Sequence, residues 1–199
     1  MLSVPHPTVR VILPTLINFD DVADGTVIDT HYSNKGVTFS AVSDMPASTW
    51  SAVARSWTAE SSPNVISIVG PTGVPFFDAS LGGIQANFSS PQRWVSISAK
   101  PVTLAEDIGQ TFSHKPYIEG FDAQGDFIGG LITYYGPSHG DQNWGTWQKL
   151  ILSSTSANIS AVRFSSQYAN SPPHVFALFD DFRFSDRIPP VPLGPQIGR

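Results

Sequence analysis

The chain has 199 residues, a formal net charge of −5 and only 14% charged residues. Its length indicates one domain, and its acidic balance without a basic stripe argues against nucleic-acid binding. The lack of cysteine excludes disulfides, zinc–thiolate sites and thiol nucleophiles.

Short alternating or apolar runs, separated by turn-forming Gly, Asn and Asp, predict strands along most of the chain. We predict ten to twelve, with the main candidates at 16–21, 37–42, 65–69, 76–78, 84–88, 94–99, 117–122, 127–132, 147–152, 159–164 and 175–184. The polar turn 123–126 predicts a hairpin between two of them. Residues 48–57 instead predict one or two helical turns, with Trp50, Ala54 and Trp57 on one face.

This pattern predicts an all-β fold, either a sandwich or a barrel, with at most short helical turns. Only three Glu and four Lys are present, whereas surface helices usually display both. We expect an N-terminal arm at 1–14, a single domain at 15–186 and a proline-rich tail at 187–199. No apolar run approaches the ~20 residues of a membrane span, and residues 1–7 do not have the pattern of a signal peptide.

Two acidic pairs lie inside apolar runs at opposite ends of the chain, Asp20-Asp21 after Phe19 and Asp180-Asp181 after Phe179. A carboxylate in such a run is costly unless it is neutralised. The pairs therefore predict that the first and last strands lie side by side. Their acids would then share a cation or a hydrogen-bond network.

The order of these motifs resembles a known family. The sequence runs from Phe19-Asp20-Asp21 through Gly36-Val37-Thr38-Phe39, Ile118-Glu119-Gly120-Phe121-Asp122, Trp147-Gln148-Lys149-Leu150 and Phe179-Asp180-Asp181-Phe182. It is similar to bacterial extracellular jelly-roll domains related to galactose-binding-like folds and carbohydrate-binding modules, over about residues 15–184. The resemblance implies a two-sheet antiparallel jelly roll, a structural Ca²⁺ between the terminal strands, and an extracellular or cell-surface setting.

The acidic pairs are also chemically suited to calcium. Ca²⁺ takes six to eight hard oxygen ligands, and Asp20, Asp21, Asp180 and Asp181 with carbonyls of the 31–36 loop could supply them. The alternative is that these carboxylates accept backbone N–H bonds or pair with Arg183 or Arg163. Both interpretations stay open from the sequence.

One loop combines the aromatic rings and polar groups that bind sugars. Its candidate contacts are Tyr135, His139, Asp141, Asn143 and Trp144, and the irregular segment before residue 60 adds Trp50, Arg55 and Trp57. Alternatively, Trp144 folds under its own loop, and Trp50 and Trp57 cover an open end of the sandwich.

The function that we predict from the sequence is a non-catalytic, calcium-stabilised carbohydrate-binding module whose partner is an oligo- or polysaccharide. One alternative is a polysaccharide-acting hydrolase or lyase that uses Glu119, Glu106 or His139. No spacing marks a carboxyl pair of the kind that glycoside hydrolysis needs. A second alternative is a structural or adhesion domain that binds a protein partner.

Overall fold

A computed structural model describes residues 13–42, 50–56, 59–61, 63–69, 75–76, 83–102, 114–132, 147–168 and 176–189. The strands in this part of the chain are β1 (Thr15–Ile17), β2 (Val37–Val42), β3 (Ser51–Ser56), β4 (Asn64–Val69), β5 (Pro75–Phe76), β6 (Gly83–Gln92), β7 (Trp94–Val102), β8 (His114–Phe121), β9 (Phe127–Ile132), β10 (Gln148–Ser153), β11 (Ile159–Tyr168) and β12 (Phe176–Ser185). A short 3₁₀ helix, Ser33–Lys35, precedes β2 and ends at Gly36, whose φ of 89° suits glycine. None of the helical structure described is long and apolar enough to cross a membrane.

The strands form two antiparallel sheets that pack as a sandwich. The seven-stranded sheet has the order β10-β7-β12-β4-β3, with β1 also paired to β12 and β5 to β4. The five-stranded sheet has the order β2-β6-β11-β8-β9. Successive strands such as β10, β11 and β12 alternate between the sheets, as in a jelly roll. The predicted fold class is therefore confirmed.

The core lies between the two sheets and follows the alternation of side chains along each strand. Ile97 on β7 and Phe182 on β12 are fully buried from one sheet, and Val162 and Phe164 on β11 are fully buried from the other. Phe164 packs against Phe182 with ring centroids 5.9 Å apart. Alternate residues of the five-stranded sheet consequently point away from the core and form an outer face.

The predicted pairing of the terminal strands is confirmed. β1 pairs antiparallel with β12, with Thr15 opposite Phe184 and Ile17 opposite Phe182. The predicted hairpin is also present, as β8 and β9. The predicted arm and tail lie mostly outside the described residues, so these domain boundaries stay predictions.

The helical turns predicted at 48–57 are wrong, because Ser51–Ser56 forms β3. Ala52, Val53 and Ala54 are all buried, so both sides of this strand are covered and it lacks the polar alternation that marks a strand. The segment before β2 also runs along the free edge of β3, where Gly25 donates to the Ala54 carbonyl and Ile28 to the Ala52 carbonyl.

Candidate functional site

Two rows of side chains cross the outer face of the five-stranded sheet. The strand registers place Asn87, Ala161 and Phe121 opposite one another in one row. The next row places Gln85, Arg163 and Glu119 opposite one another. Each row lies perpendicular to the strands, so neighbouring members are within side-chain reach.

A groove of about 690 Å³ opens on this face. Ala161 provides a low position between Asn87 and Phe121, because its side chain is a single methyl group. The groove is lined by residues of β6, β8 and β11 and of the hairpin turn, namely Gln85, Asn87, Phe88, Ser89, Ser90, Pro91, Phe121, Asp122, Ala123, Gln124, Gly125, Ser160, Ala161 and Arg163. Its volume is in the range of about 300–1,000 Å³ that is typical of small-ligand sites.

Arg163 lies in this groove and forms no ion pair with the described residues, although Asp122 lines the same groove and Glu119 is the cross-strand neighbour of Arg163. The Arg163 side chain is half-buried, and its Nε is buried without a hydrogen-bond partner among the described atoms. Its guanidinium carbon lies 5.4 Å from the centroid of the Phe121 ring, a cation–π contact. The guanidinium takes part in none of the ion pairs of the described residues, so its charge is available to an acceptor from a ligand.

The polar side chains around Arg163 are held in place by hydrogen bonds within the protein. Gln85 Nε2 donates to Asn87 Oδ1 over 2.8 Å. Asp122 Oδ1 accepts the backbone N–H groups of Gln124 and Asp126, both at 2.9 Å, and so organises the hairpin turn. The groove thus has a fixed set of amide, hydroxyl and guanidinium groups beside an aromatic ring.

The predicted metal residues take part in hydrogen bonds with the protein itself. Asp20 Oδ1 accepts the Asn64 N–H at 2.9 Å, and Asp20 Oδ2 accepts Asn18 Nδ2 at 2.9 Å. Asp21 accepts the Tyr32 hydroxyl at 2.5 Å and is paired with Lys35 at 3.2 Å. Burial opposes the ionisation of Asp21, but these donors outweigh it and lower its pKa. Burial and the bond to Asp21 raise the pKa of Tyr32.

The acidic pair of β12, Asp180 and Asp181, likewise forms hydrogen bonds and an ion pair within the protein. Asp180 is fully buried and accepts the Ser61 N–H at 2.7 Å, the Ser61 hydroxyl at 3.1 Å and the Asp181 N–H at 2.7 Å. Burial raises the pKa of Asp180 to about 6, against the effect of these bonds. Asp181 forms an ion pair with Arg183 at 3.3 Å. A bulge between Asp180 and Arg183 gives Asp181 a φ of 49°.

Residues 19–21, 61, 64 and 180–183 together form what we term the terminal seam. In the described part of the chain, no three His, Asp or Glu side chains come together in a way that could hold a metal. The donors that surround Asp20 and Asp180 are N–H and O–H groups, which fit the hydrogen-bond alternative better than a cation. Calcium binding stays a prediction from the sequence.

Strict alternation along the two terminal strands predicts that Asp21 shares the phase of Ile17 and Phe19, and that Asp180 shares the phase of Phe182 and Phe184; both predictions are wrong. The bulge between Asp180 and Arg183 shifts the alternation, so Phe179, Phe182 and Phe184 all face the core, while Asp180 lies beside Ser98 on the other face of the sheet and is buried there against Ser61. Asp21 was expected to share the phase of Ile17 and Phe19 but is exposed. The reason is that β1 ends at Ile17 and Phe19 has a φ of 62°, so the alternation stops before Asp21.

The predicted ligand residues fall mostly outside the described ranges. Tyr135, His139, Asp141, Asn143, Trp144 and Trp57 all do so, and their roles stay predictions. Trp50 is half-buried and packs against the core, and Arg55 is paired with Asp24 at 3.6 Å. Both belong to β3 or its start in the seven-stranded sheet, so neither lines the groove on the other sheet.

Of the three candidate catalytic residues, the structure describes one. Glu106 and His139 lie outside the described residues. Glu119 is half-buried on β8, and its cross-strand neighbours are Arg163 and Gly130. Neither neighbour offers the second carboxyl that glycoside hydrolysis requires.

The groove residues were not chosen as a ligand site from the sequence. Arg163 was considered only as a partner for the acidic pairs, although its position between Val162 and Phe164 in an alternating strand indicates an outward side chain. Asn87, Gln85 and Phe121 become a site only through the pairing of β6, β11 and β8. That pairing joins positions that are 40 residues (Phe121 and Ala161) to 78 residues (Gln85 and Arg163) apart, which no local pattern reveals.

Comparison with known proteins gives structural likenesses only. No protein-family model matches the chain, and no curated protein matches it significantly. Among solved structures, it is similar to the C-terminal family 22 carbohydrate-binding module of Clostridium thermocellum Xyn10B, with a TM-score of 0.44 and 12% identity over 86% of this chain and 91% of that one. It is also similar to the CBM22-1 xylan-binding domain of Paenibacillus barcinonensis Xyn10C, with a TM-score of 0.42 and 15% identity over 86% and 92% of the two chains.

A third likeness is to the K1 cleaved adhesin domain of Lys-gingipain from Porphyromonas gingivalis W83, with a TM-score of 0.42 and 11% identity over 88% and 99%. At these identities the likenesses concern the fold. The assignment of this chain as an antiparallel β-sandwich rests on its own strand pairing.

Proposed function

We propose that this domain binds carbohydrate without catalysis, and that the ligand lies in the groove on the five-stranded sheet. The observation that carries the proposal is the Arg163 cluster, in which the guanidinium of Arg163 and the hydrogen-bonded amides of Gln85 and Asn87 lie near Phe121. Sugars present both hydroxyl groups and apolar C–H faces, so a site for them combines planar polar groups with a ring. Phe127, opposite Phe121 in the strand register and 62% exposed, extends the aromatic surface.

The chemistry of the groove favours binding over hydrolysis. Among its described lining residues the one carboxyl side chain is that of Asp122, and its Oδ1 is used by two backbone N–H groups of the turn. A carbohydrate-binding role places the domain where polysaccharides are presented, at a cell or polymer surface. Stabilisation by calcium is a separate prediction from the sequence; the N–H groups already bonded to Asp20 and Asp180 do not support it, and chelation tests it.

Titration with a panel of oligosaccharides, followed by calorimetry or by chemical-shift changes, tests the proposal. The variant Gln85→Ala/Asn87→Ala removes two outward-facing amides, so we expect it to weaken binding at least about tenfold, equivalent to about 1.4 kcal/mol, with little change in stability. Lys149→Ala is the matched control, because Lys149 is exposed on β10 of the other sheet. Unchanged affinity in the double variant, or equal losses in both variants, would contradict the assignment of the groove.

A further inference from the structure

We propose that the groove selects sugars that carry a carboxylate, and that Arg163 binds this carboxylate. The inference rests on the carbohydrate-binding function proposed above and narrows it to a substrate class, the uronate-containing oligo- and polysaccharides. It is carried by the position, partners and charge of Arg163.

The position of Arg163 directs its donors into the groove. β11 is the central strand of the five-stranded sheet, and Arg163 projects from its outer face between Gln85 and Glu119. A guanidinium has five N–H donors in a planar fork and no acceptor. The two oxygens of a carboxylate match that fork in a bidentate arrangement, which a single hydroxyl cannot reproduce.

The positive charge of Arg163 is not used elsewhere. The ion pairs of the described residues involve Lys35, Arg55 and Arg183. Glu119, although opposite Arg163 in the register, forms none of these pairs and is not among the lining residues. Since a partly desolvated charge interacts more strongly than one in water, an anionic group placed against Arg163 gains more than a neutral one, and this gain has to exceed the repulsion from Asp122 in the same groove.

The Phe121 ring holds the guanidinium in position. The 5.4 Å cation–π contact covers one side of Arg163 and restricts its rotation, while the ring is itself packed edge-on against Phe127, with centroids 6.2 Å apart. A pre-ordered side chain loses less conformational entropy when a ligand binds. The contact therefore favours binding through the edge of the guanidinium, which is the edge that a carboxylate recognises.

The alternative is that the groove binds neutral sugars through their hydroxyl groups, and affinity measurements can distinguish it from binding of a carboxylate. Sugar hydroxyls can also accept N–H bonds from Arg163, but they bring no charge. An acidic sugar and its carboxyl-reduced counterpart share the ring and the linkage and differ at a single carbon, so the ratio of their affinities isolates the contribution of the charge.

The test uses the full 199-residue chain and calorimetric titration at low and at raised ionic strength. The probes are trigalacturonate and trimannuronate, each with its carboxyl-reduced counterpart. We expect at least one acidic trimer to bind at least about tenfold more tightly than its neutral counterpart. Salt should reduce this ratio, because screening weakens the attraction between charges.

Variants identify the group responsible. Arg163→Gln should abolish the preference for the acidic trimer and leave weak binding of the neutral one. Arg163→Lys should keep part of the preference, since the charge remains and the fork is lost. Arg187→Gln is the control, because Arg187 is exposed beyond β12 and its loss changes the net charge equally. Melting curves show whether each variant is folded. If Arg163→Gln does not fold, the reduced preference of Arg163→Lys for the acidic trimer tests the inference in its place.

The outcomes separate this inference from the function on which it rests. Equal affinities for acidic and neutral trimers would overturn the acidic selection and leave carbohydrate binding in place. A preference that Arg187→Gln reduces as much as Arg163→Gln would also overturn it, since the effect would then come from net charge. Failure of these probes and of the wider oligosaccharide panel to bind would overturn both.

Discussion

The terminal seam and the groove both bring polar side chains onto a sheet, but they differ in how those groups are satisfied. In the seam, Asp20 and Asp180 accept hydrogen bonds from Asn64 and Ser61 within the protein. In the groove, Arg163 takes part in none of the ion pairs of the described residues, whereas in the seam Arg183 is paired with Asp181; both arginines have a buried Nε without a partner among the described residues. Because the charges of the seam are paired within the protein and the charge of Arg163 is not, the seam holds the chain together and the groove is left ready for a ligand.

The two regions also differ in their dependence on the fold. Asn64 is 2% exposed and donates to the carbonyls of Phe19 and Val22, which fixes the start of the domain against β4. Arg163 makes no comparable bond that holds another element. Substitutions in the seam should therefore reduce stability, whereas substitutions in the groove should reduce affinity. The experiments that follow can break or sharpen this division.

The largest effect is expected from Asn64→Ala. The change leaves two carbonyl groups without their donor, and we expect the free energy of unfolding to fall by about 3 to 4 kcal/mol. Denaturant unfolding measures this loss, and Asn158→Ala is the control, because the Asn158 Oδ1 has no partner among the described residues. If the two variants lost equal stability, Asn64 would not have the structural role assigned to it.

Asp180 should give the seam a distinctive dependence on pH. Its pKa of about 6 in the folded chain lies above the ordinary value of 3.8, so the folded chain keeps a proton that the unfolded chain loses as pH rises between about 4 and 6. The contribution of this group to stability therefore falls across that window, by about 3 kcal/mol in total. Asp181 and Arg183 are the charged groups beside it and do not change this sign.

The measurement is unfolding free energy against pH for the parent chain and for Asp180→Asn. We expect the variant to lose the decline between pH 4 and 6, while the control Asp126→Asn, in the exposed hairpin turn, keeps it. An identical pH profile in Asp180→Asn and the parent would show that Asp180 ionises without cost, contrary to its burial.

A smaller effect is expected at the edge of the seam from Tyr32→Phe. The change removes the 2.5 Å bond to Asp21 but keeps the buried ring, which packs against Phe19 and Phe39. Because Asp21 is exposed and water can replace the hydroxyl, we expect a loss of about 1 kcal/mol and a rise in the pKa of Asp21, followed by NMR titration. A loss as large as that of Asn64→Ala would place Asp21 inside the structural network.

Much of the fold could be predicted from the sequence, because the features that indicate it are either local, such as alternation within a strand, or matched at the two ends of the chain, such as the acidic pairs. Alternation located β2 and β7, and the acidic pairs placed β1 beside β12. The prediction failed at Ser51–Ser56, because a strand buried on both sides has no alternation and the spacing of Trp50, Ala54 and Trp57 resembles that of a helix. It failed at Asp21 because a positive φ at Phe19 ends the strand without a glycine to signal it.

The candidate site could be predicted much less well. The groove depends on which strands become neighbours: Arg163 meets Phe121 only because β11 pairs with β8. The composition of the sequence instead points to the loop at 134–144, which concentrates sugar-binding residue types and lies outside the described residues. Long-range register, rather than composition, decides which polar side chains share a surface.

The smallest effect is expected from chelation, which tests the calcium prediction directly. Ca²⁺ needs six to eight oxygen ligands at about 2.3–2.6 Å, whereas Asp20 and Asp180 are already approached by N–H groups at 2.9 and 2.7 Å. Donors in those positions bring the positive ends of N–H groups close to the carboxylates and compete with a cation for their oxygens. We therefore expect the melting temperature to be unchanged after complete metal removal, verified by elemental analysis. A fall that added Ca²⁺ reverses, and that Asp20→Asn prevents, would establish the calcium site and make the seam a ligand site as well.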